Sequence, residues 1–219
     1  YTEIASGVTA SAGSYTSWTV PAAVSTTVKI RVRSYPVATY SDESNNDFTI
    51  KAKVTNVQPS AGSATYDTDI ANAIKIRWTP AGNLGNVKIY LSAESDYNSW
   101  PTVLSASVAG GSNGVQQTFD WNPSDNPTPN GIRNAVPGNY KVKVALLGDE
   151  SNVFAISPTA FRVIGKLAIS VPASSTVSPW LLGHPAGYDI TWTKTPAELG
   201  DVTLEYSKTT PESWIAIGL

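Results

Sequence analysis

Ile74–Ser92, IKIRWTPAGNLGNVKIYLS, decides the fold. It reads as a strand carrying Trp78 (Ile74–Trp78), a Pro/Gly/Asn turn (Thr79–Gly85) and a second strand (Asn86–Ser92). Residues that alternate apolar and polar make a half-buried strand, and Pro, Gly and Asn punctuate it. The stretch returns about 114 residues later as Tyr188–Ser207, YDITWTKTPAELGDVTLEYS. Trp100 follows the first copy and Trp214 the second.

Further matches extend the repeat. Trp18-Thr19-Val20-Pro21 matches Trp121-Asn122-Pro123, and Val28–Arg33 matches Tyr140–Ala145. Asp42–Asn45 and Asp149–Asn152 are both DESN, Phe48-Thr49-Ile50 matches Phe161-Arg162-Val163, and Lys51–Ser60 matches Lys166–Ala173. Many matches near one spacing mark a repeat architecture.

The remaining chain reads as strands and turns. Ser14–Pro21 is expected to be a strand, Thr26–Tyr35 an unbroken alternating strand, Ser41–Asp47 a turn and Phe48–Val54 another alternating strand. Val115–Trp121 and Asn139–Leu147 are further strands, and Val153–Ile164 gives one or two more around Pro158. Turns every 8–12 residues fit an immunoglobulin-like sandwich of about seven strands.

The expected fold class is therefore all-β, as tandem immunoglobulin-like β-sandwiches: one complete domain and two complementary half domains. Residues 51–164 hold the full strand set, 1–50 the last three strands and 165–219 the first three or four. Neither half has enough strands to bury an apolar face alone. Joining Leu219 of one copy to Tyr1 of another puts Trp214 23 residues before Trp18, against 21 from Trp100 to Trp121. The expectation is a period or window of a longer array, continuous in one polypeptide or joined by strand exchange between subunits. The chain starts at Tyr1, so it is read as processed or as an excerpt.

Composition narrows the function. Charged residues are 15% and the net charge is -2; a nucleic-acid partner needs a basic patch, and none is visible. No apolar run approaches a membrane span. Cys and Met are both absent, which excludes a disulfide framework and a thiolate zinc site and suits an extracellular protein.

The set Ile76, Trp78, Thr79, Gly85, Val87, Ile89 and Leu91, with Trp18-Thr19-Val20-Pro21 and Asp42-x-Ser44-x-x-x-Phe48-x-Ile50, resembles the tandem immunoglobulin-like or fibronectin-III-like repeats of large bacterial and archaeal surface proteins. It is also similar to the immunoglobulin-like domain of the Kre9/Knh1 cell-wall family. The resemblance implies extracellular, repetitive, non-catalytic spacers or lattice units, with no catalytic residues to carry over.

Chemistry-bearing residues are sparse. His184, the only His, sits in a Gly-His-Pro loop with no Gly-x-Ser-x-Gly elbow to make a triad. Asp42, Glu43 and Asp47 cluster in one expected turn, Asp149 and Glu150 in its counterpart, and Asp67 and Asp69 form a D-x-D. Such loops could hold calcium through several oxygens, although none follows the EF-hand pattern. The competing reading is that Asp, Ser and Asn bond their own backbone in turns, with Asp42 and Asp149 capping their hairpins alike. Paired carboxylates could also serve glycoside hydrolysis, but turns on a small sandwich lack the cleft. No catalytic residue is assigned, no enzyme activity is expected, and no cofactor is expected beyond the calcium option.

Trp78 and Trp192 lie in mid-strand and are read as core. Trp180, Leu181 and Leu182 differ, because their loop, SPWLLGHPAG, has no counterpart in residues 51–164. They are candidates for a junction plug, an intersubunit contact or a ligand platform. The loop Ser124–Gly138, with Pro127 and Pro129, is a second contact candidate. The expected partners are further copies of the chain and, as the alternative, cell-surface polysaccharide. The expected function is a structural repeat of an extracellular filament, surface layer or adhesin stalk; the alternatives are a carbohydrate-binding or adhesive module and an accessory domain of a large secreted enzyme.

Overall fold

The computed structural model describes residues 1–60, 65–67, 74–93, 97–121, 137–172, 180, 182–183, 188–195, 201–209 and 211–217. They are all-β apart from one 3-10 turn, Ala10–Ala12. The strands are β1 (Ser25–Val28), β2 (Arg31–Arg33), β3 (Ser41–Glu43), β4 (Phe48–Ile50), β5 (Lys53–Gln58), β6 (Thr65–Asp67), β7 (Ile74–Ala81), β8 (Leu84–Ser92) and β9 (Thr102–Gly111). They continue with β10 (Gln117–Trp121), β11 (Gly138–Leu146), β12 (Phe154–Ile156), β13 (Phe161–Ile164), β14 (Lys166–Val171), β15 (Thr191–Thr195), β16 (Glu205–Ser207) and β17 (Trp214–Ala216).

Strands β5 to β13 form a sandwich. One sheet runs β10-β7-β5; the other runs β6-β13-β11-β8-β9, with β12 beside β11. Alternation along β7 sends Ile74, Ile76 and Trp78 inward, and along β8 it sends Val87, Ile89 and Leu91 inward to meet them. Val54, Leu104, Trp121, Val142, Val144, Phe161 and Val163 complete the core. The Trp78 indole is fully buried and its Nε1 donates to the Gly110 carbonyl at 2.9 Å. A Cβ on Gly110 would press on Leu84 and the Gly85 carbonyl, so only glycine lets β9 approach β8 there. The turn read as Thr79–Gly85 is shorter than expected: β7 runs to Ala81 and β8 starts at Leu84. Gly82 takes φ 84° there, a left-handed conformation open to glycine.

The β11 hairpin explains why Val153–Ile164 forms two short strands and why Thr26–Tyr35 is broken. Val142 donates its N–H to the Ser157 Oγ at 3.1 Å and accepts the Ser157 N–H at 2.8 Å. The serine hydroxyl takes the place of a ladder carbonyl, so the partner strand divides into β12 and β13. Ile30 and Ser44 repeat the bond pair, at 3.2 and 2.8 Å, so Thr26–Tyr35 is broken between β1 and β2. In each case Phe follows the serine by four residues and takes a Trp ring edge-on: Trp18 on Phe48 and Trp121 on Phe161, both with centroids 6.3 Å apart.

This geometry changes the alignment at DESN. Asp42 lies in β3, opposite Val32, so Ser41–Asp47 is not simply a turn. Asp149 lies in the tight turn after β11, where its carbonyl accepts the N–H groups of Asn152 and Val153. The two aspartates therefore do not cap alike. A longer loop after β2 moves the first DESN into the returning strand, and Ser44 corresponds to Ser157.

The pairing of β14 with β15 reproduces that of β5 with β7. Lys53↔Ala81, Val54↔Pro80, Thr55↔Thr79 and Gln58↔Arg77 become Lys166↔Thr195, Leu167↔Lys194, Ala168↔Thr193 and Val171↔Thr191, with the irregularity near the same end. In β16–β17, Tyr206 pairs with Ile215 as Leu91 pairs with Thr102. This sets Trp214 one position out of step with Trp100, which in a strand means opposite faces.

Ser14–Pro21 joins no ladder, against expectation. Its counterpart β10 is held by β7, and no strand pairs with 14–21 in that way. Phe48–Val54 is also not one strand: β4 ends at Ile50 and β5 starts at Lys53 in a different sheet. Thr65–Asp67, read as loop, forms β6, parallel to β13.

Candidate functional site

Most carboxylates read as calcium candidates have protein partners. Asp149 accepts Lys51 Nζ and Asn152 Nδ2, each at 2.6 Å. Lys51, then Asn152, holds its carboxyl below the usual carboxylate range. Glu43 faces Arg31 at 3.7 Å across β2–β3. Glu150 acts on Lys143, partly offsetting the burial that lowers that amine's pKa. Asp47 directly precedes β4. Among the described residues no three His, Cys, Asp or Glu side chains form a group able to hold a metal. Asp67 ends β6, and Asp69 lies outside the described residues.

One depression is lined by Tyr1, Thr27, Val28, Lys29 and Asp47. A depression beside β5 and β12 is lined by Asn56, Gln58, Ser60, Gln116, Ile156 and Pro158, among others, none of them titratable. Such a lining can donate and accept hydrogen bonds but cannot move a proton at neutral pH. His184, Leu181, Pro127 and Pro129 lie outside the described residues.

Trp180 does meet another aromatic. Its ring stacks on Tyr188 with centroids 4.8 Å apart and planes 2° from parallel. Both rings are more than a third exposed, and Leu182 is fully exposed.

The main feature of the flanking segments is apolar surface. Val54, Trp78, Leu91 and Val144 are at most 2% exposed. Their repeat counterparts Leu167, Trp192, Tyr206 and Val32 are 52%, 37%, 41% and 71% exposed. Trp192 is 37% exposed and therefore not core here, because among the described residues no sheet faces it as one faces Trp78. Together the four counterparts leave about two side chains' worth of surface exposed, and burying it is worth roughly 3–6 kcal/mol. The edges are open too: β11 lies between β8 and β12/β13, whereas among the described residues β1 and β2 each have one neighbour, β4 and β3. Strand β16 pairs with β17 alone among the described residues.

The connections are short. Two residues separate β4 from β5, and Gly165 alone separates β13 from β14. The first junction is further tied by the Lys51–Asp149 bond and by Val24 and the Ala22 carbonyl packed at Gly82. Sequence reasoning missed the serine that interrupts each hairpin. The shared Ser-x-x-x-Phe spacing of Ser44/Phe48 and Ser157/Phe161 was the available signal.

No family model matches the chain, and no curated protein matches it. No described helix is long and apolar enough to cross a membrane.

Proposed function

We propose that this chain is a non-catalytic structural repeat of an extracellular filament, surface layer or adhesin stalk. In this reading residues 51–164 are a complete immunoglobulin-like domain, and 1–50 and 165–219 are half domains completed by neighbouring copies. Completion runs through a continuous polypeptide or through strand exchange. The observation that carries the reading is the contrast between Val54, Trp78, Leu91 and Val144, all buried, and Leu167, Trp192, Tyr206 and Val32, all exposed at matching positions. Completion would gain about 3–6 kcal/mol from apolar burial, set against the entropy of association. Short junctions and low charge then favour stiff, closely packed units.

The test is sedimentation of the chain over a concentration series, with imaging of the native particle. A fibre or lattice whose repeat is one or two domain lengths is the expected result. A chain that stays monomeric at its highest soluble concentration, and a native particle without such a repeat, refute the proposal.

The stacked pair Trp180–Tyr188 favours a second reading, an adhesive module that binds cell-surface polysaccharide on exposed aromatic faces. Saturable polysaccharide binding lost in Trp180→Ala would support it.

A further inference from the structure

We infer that the free edge of β2 is covered by β16 of a second copy of this chain, antiparallel and in one register, with Glu205 opposite Arg31. The inference rests on the half-domain reading above and specifies its contact. The template is the β8–β11 ladder, where Ser92, Tyr90 and Lys88 stand opposite Lys141, Lys143 and Ala145 on the side away from the core, with Ser92 and Ala145 themselves buried, and Leu91 and Ile89 stand opposite Val142 and Val144 inside.

The β2 side of the correspondence is anchored by the shared serine bonds, which equate Ile30 with Val142. The β16 side is anchored by the matching sequence, Leu204-Glu205-Tyr206-Ser207 for Ile89-Tyr90-Leu91-Ser92. Substituting both into the template places Tyr206 opposite Ile30 and Leu204 opposite Val32, so every inner rung is apolar. On the outer face Ser207 meets Lys29, repeating the residue types of Ser92 and Lys141. Glu205 then meets Arg31, and Thr203 meets Arg33.

Charge favours this occupant. Lys29, just before β2, and Arg31 and Arg33 within it place three cations where Lys141 and Lys143 stand in the template, with Arg31 and Arg33 each 3.7 Å from a partly exposed carboxylate, Glu43 and Glu3. The template gives those lysines aromatic neighbours: Lys143 Nζ lies 5.5 Å from the Tyr90 ring centre. Glu205 replaces Tyr90 with a carboxylate. In the free chain the exposed Tyr1 ring covers Arg31, 3.9 Å from its guanidinium carbon, and Glu205 would displace it. A slip of one residue turns the cations inward and the apolar side chains out. A slip of two keeps the faces but separates the matched rungs.

Disulfide trapping tests the register, because the chain has no Cys of its own. Directly opposed Cβ atoms lie about 4.5–5.5 Å apart and diagonal ones ~7–8 Å, and disulfides need about 3.5–4.5 Å. The variant Arg33→Cys/Thr203→Cys leaves Arg31 and Glu205 in place and spares the Ser207 hydroxyl, which accepts the Thr209 and Ser213 N–H groups in the β16–β17 turn. Under oxidation it should give a ladder in steps of 23.2 kDa, reversed by reductant. The slipped control Arg31→Cys/Thr203→Cys should give none. A ladder from the control alone overturns the register while chain-to-chain completion stands. A sedimenting polymer with no ladder from either variant also overturns the register alone. A disulfide closed within one monomer overturns the second copy as occupant. A chain that is monomeric throughout overturns the half-domain reading itself.

Discussion

Ser157→Ala removes the hydroxyl that accepts the Val142 N–H at 3.1 Å, at a site where both residues are fully buried. Alanine fills nearly the same space, so little packing is lost. The backbone bond from Ser157 N–H to the Val142 carbonyl also survives. What remains is one buried N–H without an acceptor, which costs about 1–3 kcal/mol. For a sandwich near a hundred residues that is a fall in Tm of roughly 5–20 °C. Thermal unfolding followed by the fluorescence of the buried Trp78 and Trp121 measures it. Amide exchange localises it, since Val142 should lose protection before its neighbours in β11. Ser44→Ala breaks the equivalent bond to Ile30 at a part-buried site, where water can replace the hydroxyl, and should cost under about 1 kcal/mol. A Ser157→Ala loss below ~0.5 kcal/mol, or a Ser44→Ala loss as large as that of Ser157→Ala, would refute the reasoning.

Two other outcomes follow from the same geometry. Trp78→Ala should destabilise the sandwich by about 3–5 kcal/mol in denaturant unfolding, whereas Trp192→Ala should leave that transition within ~0.5 kcal/mol and instead weaken self-association at least about tenfold, or ~1.4 kcal/mol; equal effects on unfolding would contradict the repeat correspondence. Asp149 has its carboxyl pKa lowered first by Lys51 and then by Asn152, so its contribution is present above the unfolded value of about 3.9 and is lost as pH falls through the lowered folded value. Asp149→Asn should therefore flatten the acid limb of a stability-against-pH curve, and an unchanged limb would show that the Lys51 contact is not maintained in solution.

Much of the fold was legible because strands record their faces in sequence. The alternation in Ile74–Ser92 and Asn139–Leu147 gives the inward residues directly, and β7, β8 and β11 fall within a few residues of expectation. Strand β6 was not legible: three residues carry no periodicity, and its partner β13 is about a hundred residues away. The break of Thr26–Tyr35 opposite Ser44 was hidden because a side chain replacing a ladder carbonyl leaves the apolar pattern intact, whereas Pro158 marks the division beside Ser157 in the sequence. The match at DESN misled for a related reason. Asp and Asn suit a turn, yet Asp42 sits in β3 because the longer preceding loop carried it there. Of the candidate site residues, Trp180 found a partner in Tyr188, while Asp149 and Glu43 found cations of the chain itself.

The sequence alone determined the period-two faces, the repeat and the order in which its strands recur, since these are local or copied properties. Only the tertiary structure decided which faces are covered. Trp78 and Trp192 share a residue type and an equivalent strand position, and differ because burial depends on whether a second sheet packs across from the first. No local pattern encodes that, because the covering strands come from distant parts of the chain.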